Sequence, residues 1–163
     1  MNQLELAADV LNRNLEILKM TLADFSDADM LVRPVPHANH AAWQLGHLIA
    51  SDARLACVMF GEGSVELPAG FAEKFTKETA SKDDASFFPT KAALLDQFIK
   101  TRAAVVSRVA KMNPADLDKP TSGPMAARIP TFGHIVSLLP THVAMHIGQF
   151  QVIRRKLGKP ILF

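Results

Sequence analysis

The stretch that decides the fold runs from residue 131 to residue 158 and reads TFGHIVSLLPTHVAMHIGQFQVIRRKLG. Apolar side chains return every three or four positions along it, which is the period of a helix packed on one face. Thr131 can cap its start, and Gly158 followed by Pro160 ends it. His142 and His146 share one stripe with the apolar residues Ile135, Leu139, Phe150, Ile153 and Leu157. The stretch therefore predicts a long helix that turns two histidines toward the core.

Three earlier segments have the same helical period, at about residues 4–24, 39–61 and 90–112. The segment from 62 to 89 contains Gly63, Pro68, Gly70 and Pro89 and has no sustained period. A connection of this length lets the helices on either side of it run parallel in a bundle. No strand-like alternation of useful length occurs, so the sequence predicts an all-α fold of four helices.

Composition limits the classes of protein to consider. The chain has 163 residues, 48% hydrophobic and 21% charged, which predicts one globular domain over residues 1–163. No apolar run is long enough for a membrane helix, and the first residues lack the pattern of a signal peptide. The formal net charge of +2 predicts no nucleic-acid partner. The single Cys57 predicts a reducing, cytoplasmic setting.

The pair His142 and His146 is spaced for a shared metal ion. Two helical residues four positions apart project from one face with their bases about 6 Å apart. Both imidazoles can then reach one ion at about 2.1 Å. However, this spacing also occurs by chance in many helices, and a buried histidine can simply be a hydrogen-bonded core residue. The spacing alone leaves both interpretations open.

The second helix has one polar sector, formed by Gln44, His47, Ser51 and Arg54. Periodicity alone favours an ordinary solvated face. The alternative is a polar cavity inside the bundle, in which His47 is a third ligand and Arg54 holds an anionic group of a substrate.

Several familiar sites are excluded by the residues present. Val143 stands where a zinc protease of the HExxH type carries its general-base glutamate. Glu-x-x-His pairs of di-iron bundles are absent from the sequence. His134 and His40 are too far along their helices to share an ion with the other histidines, although His40 could line a cavity mouth. His37 precedes the second helix in a proline-rich loop.

Two motifs resemble those of the DinB-like (DinB/YfiT) superfamily. Residues 36–48 read PHANHAAWQLGHL, and residues 141–150 read THVAMHIGQF. The resemblance covers most of the chain and implies an up-down-down-up four-helix bundle, often homodimeric, with a long crossover between helices 2 and 3. It also implies a divalent metal held by His47, His142 and His146, with open coordination positions for water or substrate.

Members of this superfamily include S-transferases that use low-molecular-weight thiols and a mycothiol-dependent isomerase. The resemblance therefore implies a metal-dependent enzyme acting on a small molecule, such as a thiol S-transferase, without naming catalytic residues. Zinc or nickel is the expected metal and iron is an alternative, because imidazole suits all three. We expect binding to weaken as the pH falls through about 6, where histidine takes up a proton. The alternative function is a non-catalytic metal- or ligand-binding bundle.

Overall fold

Four α-helices make up the fold in the computed structural model, which describes residues 1–162. They are α1 (Gln3–Leu22), α2 (Ala41–Phe60), α3 (Lys91–Val109) and α4 (Phe132–Lys156). Within residues 1–162 the β-type pairing is limited to one isolated bridge, between Pro120 and Thr131. The all-α prediction is confirmed, and the four helices lie close to their predicted positions. Phe163, the last residue of the predicted domain, lies outside the described residues.

The helix starts are determined by side chains that accept backbone N–H groups. Thr90 caps α3 as predicted, with its hydroxyl accepting from Ala93 N–H at 3.2 Å. His40 caps α2 through its Nδ1, which accepts from Trp43 N–H at 3.1 Å. Thr131 is the N-cap residue of α4, as predicted, but its hydroxyl lies 2.8 Å from a ring nitrogen of its neighbour His134 instead of a backbone amide.

Two apolar clusters show the direction of each helix. One cluster contains the beginnings of α2 and α3 together with the ends of α1 and α4. The other contains the ends of α2 and α3 together with the beginnings of α1 and α4. Hence α2 runs parallel to α3 and opposite to α1 and α4, which is the up-down-down-up topology that the family resemblance implied.

The segment between α2 and α3, which we call the crossover, passes along α2 and covers it. Three of its aromatic side chains, Phe71, Phe75 and Phe88, are buried in the first cluster. The covered helix α2 is buried on nearly all sides within the one chain. Its apolar circumference is therefore accounted for by contacts inside the chain.

A fully buried ion pair lies between the two apolar clusters. Arg102 on α3 places Nη2 2.7 Å from Oδ2 of Asp52 on α2, and both side chains are 0% exposed. The contact lacks hydrogen-bond alignment, and within residues 1–162 neither side chain has a hydrogen-bond partner. Burial raises the pKa of Asp52 to about 6, against the opposing effect of the Arg102 charge. Burying such a pair costs free energy, because both charges lose their hydration.

The basic end of α4 is only partly a solvated face. Arg154 is buried and donates to the backbone carbonyl of Thr21 and to the carboxylate of Asp24, at the end of α1. This tie joins the ends of α1 and α4. Among residues 1–162, none of the helices combines the length and apolarity needed to cross a membrane.

Candidate metal centre

The three histidines predicted to be ligands lie together where α2 faces α4. One ring nitrogen of each lies within 4.8 Å of the corresponding nitrogens of the other two. His142 Nε2 and His146 Nε2 are 3.2 Å apart. Two nitrogens that share a tetrahedral ion at about 2.0–2.1 Å are about 3.3–3.4 Å apart. The pair His142 and His146 therefore has the spacing of two ligands of one divalent ion, and His47 lies near enough to be a third. A three-histidine set would leave coordination positions without a protein ligand.

Burial keeps these imidazoles in the neutral form that a metal requires. Burial, followed by the nearby His142 and His47, lowers the pKa of His146 to about 3. Burial and the charges of His47, Arg102 and Arg54 lower the pKa of His142 to about 4. Each imidazole disfavours a charge on its neighbour, so the three rings stay neutral together and keep lone pairs for a cation.

The pKa of His47 is also lowered, chiefly by burial and less by the charge of Arg54. The backbone carbonyl of Phe75 opposes this shift by favouring a proton on the ring. A carbonyl on one side of a histidine leaves the other ring nitrogen available to a metal.

Trp43 explains part of the family motif at residues 36–48, in which Trp43, Gly46 and His47 form a Trp-x-x-Gly-His pattern. Its indole lies parallel to the His47 ring, with centroids 5.0 Å apart and planes 5° apart. Its Nε1–H donates to the Thr76 carbonyl and to the Thr79 hydroxyl, each at 3.2 Å. Trp43 thus supports a ligand and ties the crossover to α2.

Gly46 explains another part of the motif. A Cβ added at this position would lie 2.0 Å from Cε1 of Phe75, because the phenyl ring packs directly against the α2 backbone. Only glycine admits this approach. The crossover can therefore lie close to the neighbouring ligand, His47.

The polar sector of α2 does not form a solvated face, so the reading that periodicity favoured is wrong. Gln44 is fully buried and Ser51 nearly so, while His47 is half-buried and only Arg54 is exposed. Gln44 places Oε1 2.7 Å from His146 Nδ1 and Nε2 2.6 Å from the Asn39 carbonyl. The sequence pattern does not predict this contact, although Gln44 lies one helical turn before His47 on the same face.

A cavity of about 830 Å³ opens beside the histidines, between α2 and the crossover. His47 and His146 line it, and Arg54 and Lys77 supply positive charge. Among the described residues that line it, none carries a carboxylate. Its apolar lining comes from Ala50, Ala53, Leu67, Ala72, Phe75 and Ala80. The arrangement suits a small molecule with an apolar body and a negative charge.

The remaining histidines lie apart from this cluster. His40 is fully buried, and its Nε2 lies 3.0 Å from the Lys82 carbonyl. The suggestion that His40 lines a cavity mouth is therefore wrong, because its two nitrogens hold the helix start and the crossover. His37 lies in the preceding loop with φ 65°, and His134 is exposed at the start of α4.

Fold and site together define a four-helix bundle with an open three-histidine cluster at a cavity. A model of the DinB superfamily matches residues 11–150, and the chain belongs to that superfamily. The predicted resemblance is thereby confirmed. No curated protein matches the chain.

Two solved structures share the fold. A conserved protein from Enterococcus faecalis superposes with a TM-score of 0.73 at 18% sequence identity, covering 98% of this chain and 99% of the other. YfiT from Bacillus subtilis superposes with a TM-score of 0.67 at 15% identity, covering 98% and 91%. YfiT is described as a probable metal-dependent hydrolase with an unusual four-helix bundle topology.

Proposed function

We propose that this protein is a metal-dependent enzyme that transfers a low-molecular-weight thiol to an electrophilic small molecule. One observation carries the proposal: three neutral imidazoles converge beside a cavity whose described lining offers cations but no carboxylate. His47, His142 and His146 would hold the ion, with zinc or nickel as the expected metal and iron as an alternative. When bound, a divalent ion supplies a Lewis acid that lowers the pKa of a thiol or water beside it.

The lining of the cavity favours a thiol over water as the nucleophile. A free thiol has a pKa of about 8.5, whereas that of water is about 15.7, so a thiol needs far less activation. Hydrolysis of the HExxH type relies on a carboxylate as general base, and the described cavity residues lack one. The description of YfiT as a probable hydrolase makes hydrolysis the outcome to test against.

Arg54 is proposed to bind the substrate through its charge. It lies two turns after His47 on the side of α2 that faces the cavity, and Lys77 adds a second cation from the crossover. We expect the anionic part of the thiol or of its acceptor to lie between these two side chains, with the apolar part against the cavity wall. A homodimer and a cytoplasmic location are further proposals, made from the superfamily and from the single Cys57.

The first experiment measures metal content per chain after dialysis against excess zinc or nickel. We expect one ion per wild-type chain, and much less than one in His142→Ala and His146→Ala, because two ligands hold an ion with open positions poorly. His134→Ala is the matched control, since His134 lies on α4 but outside the cluster, and it should retain the ion. Equal stoichiometry in wild type and His146→Ala contradicts the site.

The second experiment measures thiol conjugation to a chromogenic aryl halide, across several low-molecular-weight thiols, with and without a chelator. We expect turnover that requires both thiol and metal. We also expect a raised KM in Arg54→Ala but not in Arg13→Ala, since Arg13 is an exposed arginine of α1 away from the cavity. Ester hydrolysis that needs metal but no thiol would contradict the proposed thiol transfer and identify the protein as a hydrolase. Metal binding with neither thiol conjugation nor ester hydrolysis would favour the alternative function, a non-catalytic metal- or ligand-binding bundle.

A further inference from the structure

The Gln44 side chain is fully buried and has a single possible orientation. Its amide lies between the Asn39 carbonyl at 2.6 Å and His146 Nδ1 at 2.7 Å. A carbonyl oxygen can only accept a hydrogen bond, so the amide nitrogen must face Asn39. The amide oxygen then faces His146.

This orientation determines which nitrogen of His146 carries the proton. An amide oxygen can only accept, so His146 Nδ1 must be the donor. In a neutral imidazole the other nitrogen, Nε2, then has a free lone pair. That nitrogen is the one 3.2 Å from His142 Nε2, within the three-histidine cluster.

We propose that Gln44 is a positioning residue that holds His146 in the Nδ1–H tautomer and so presents Nε2 to the metal. The inference rests on the proposed metal site, but the tautomer itself exists without metal. Histidine ligands are commonly oriented by an acceptor on the other nitrogen, often a carboxylate. An uncharged amide here orients the ring while leaving the ion its full positive charge, which keeps it a strong Lewis acid.

Two variants separate this role from a structural one. Gln44→Met removes both hydrogen bonds with little change of volume. Gln44→Glu, measured at a pH at which its carboxyl is ionised, keeps an acceptor facing His146 but loses the donor that faces Asn39. If the tie to Asn39 alone matters, the two variants behave alike; if the acceptor matters, Gln44→Glu keeps the tautomer and Gln44→Met does not.

The test has two measurements. Long-range ¹H–¹⁵N correlation spectra of the metal-free protein give the tautomer of His146, and competition with a chelator gives the zinc dissociation constant. We expect Nδ1–H in wild type and Gln44→Glu, a loss of that form in Gln44→Met, and zinc affinity lower by about 10–100-fold in Gln44→Met alone. Gln151→Met is the control, because Gln151 is also a buried amide but stands on α4, with Nε2 3.4 Å from the Thr21 hydroxyl and away from the histidines. It should change neither quantity.

The inference is overturned by an Nε2–H form of His146 in the wild type, or by an unchanged tautomer and zinc affinity in Gln44→Met. Should Gln44→Met fail to fold by circular dichroism, Gln44→Glu decides: loss of the Nδ1–H form there also overturns it. A wild type that binds no zinc contradicts the proposed function, while the tautomer in the metal-free protein still tests Gln44.

Discussion

The Trp43 indole stacks on the His47 imidazole at 5.0 Å, and Trp43 is the chain's single tryptophan, with no tyrosine present. Fluorescence of this protein therefore reports on a ring in contact with a proposed ligand. We expect Co²⁺ or Ni²⁺, which have partly filled d shells, to quench the emission on binding. Zn²⁺ has a filled shell and should change it less. Titration of His146→Ala is the control, and quenching of equal strength and midpoint there would place the ion elsewhere.

The stability of the metal-free protein should fall as the pH drops below 6.5. The ordinary histidine pKa is 6.5, whereas those of His142 and His146 in the fold are about 4 and about 3. Between these values the unfolded chain binds more protons, so the free energy of unfolding decreases by about 1.4 kcal/mol per pH unit for each such histidine. Below pH 6 the raised pKa of Asp52 opposes this as one group against two. Urea unfolding from pH 7 to pH 5 measures this. A His146→Gln variant should show a shallower slope, and an equal slope contradicts the prediction.

Metal affinity should respond to acid later than the sequence led us to expect. The sequence predicted weakening as the pH falls through about 6, the range of an ordinary histidine. Because the pKa values of all three imidazoles are lowered, protons compete for the folded ligands only at lower pH. Zinc dissociation constants measured from pH 7.5 to pH 5.5 should change little until the protein itself begins to unfold. A steady loss centred on pH 6 would contradict this.

Two helical glycines should respond in opposite directions to alanine. Gly46→Ala places a Cβ inside the Phe75 ring and should cost about 1–3 kcal/mol of stability, with weaker metal binding at His47. Gly148 in α4 has nothing within 4 Å of an added Cβ, so Gly148→Ala should stabilise the chain by about 0.8–1 kcal/mol. Thermal unfolding measures both. Destabilisation by Gly148→Ala, with a lower sedimentation mass, would instead show that a second copy covers that face of α4.

The buried pair of Asp52 and Arg102 should be far more sensitive than a surface pair. Asp52→Asn or Arg102→Met alone leaves one buried group without its partner and should cost about 3–5 kcal/mol. The double variant Asp52→Leu with Arg102→Met should recover most of this. Asp96 and Lys100, an exposed pair on α3 at 2.7 Å, are the control and should contribute less than about 1 kcal/mol. Urea titration compares these three variants with Asp96→Asn, which breaks the exposed pair, and equal costs for the two pairs would refute the prediction.

Local signals were enough to predict the four helices, because helix period and caps depend on neighbouring residues, whereas the up-down-down-up topology came from the family resemblance. Thr90 and Gly61 mark helix boundaries as expected, the latter with φ 88°. The site required more than local signals. Whether the sector of α2 that carries His47 meets water or protein depends on the crossover that packs against it, and the crossover has no period of its own.

The buried ion pair left a signal that periodicity could have revealed. Asp52 follows Leu48 by four residues and precedes Leu55 by three, so it occupies a seam position of α2. Arg102 has the same relation to Phe98 and Val105 on α3. Opposite charges at seam positions of two neighbouring helices predict a buried pair. The Gln44 contact left a weaker signal, because Gln44 lies one helical turn before His47 but an uncharged amide does not indicate which side chain it meets.

The proposed metal ligands and much of the cavity wall lie on different segments of the chain, so substitutions can alter one without the other. The proposed ligands stand on α2 and α4, whereas much of the cavity wall, including Phe75 and Lys77, belongs to the crossover. Replacing wall residues in this connection would alter which molecules fit and leave the donor atoms of the site untouched. The same metal chemistry could thus be directed to new small molecules by exchanging one loop, provided that Phe75 still lies against Gly46 and Trp43 still reaches Thr76.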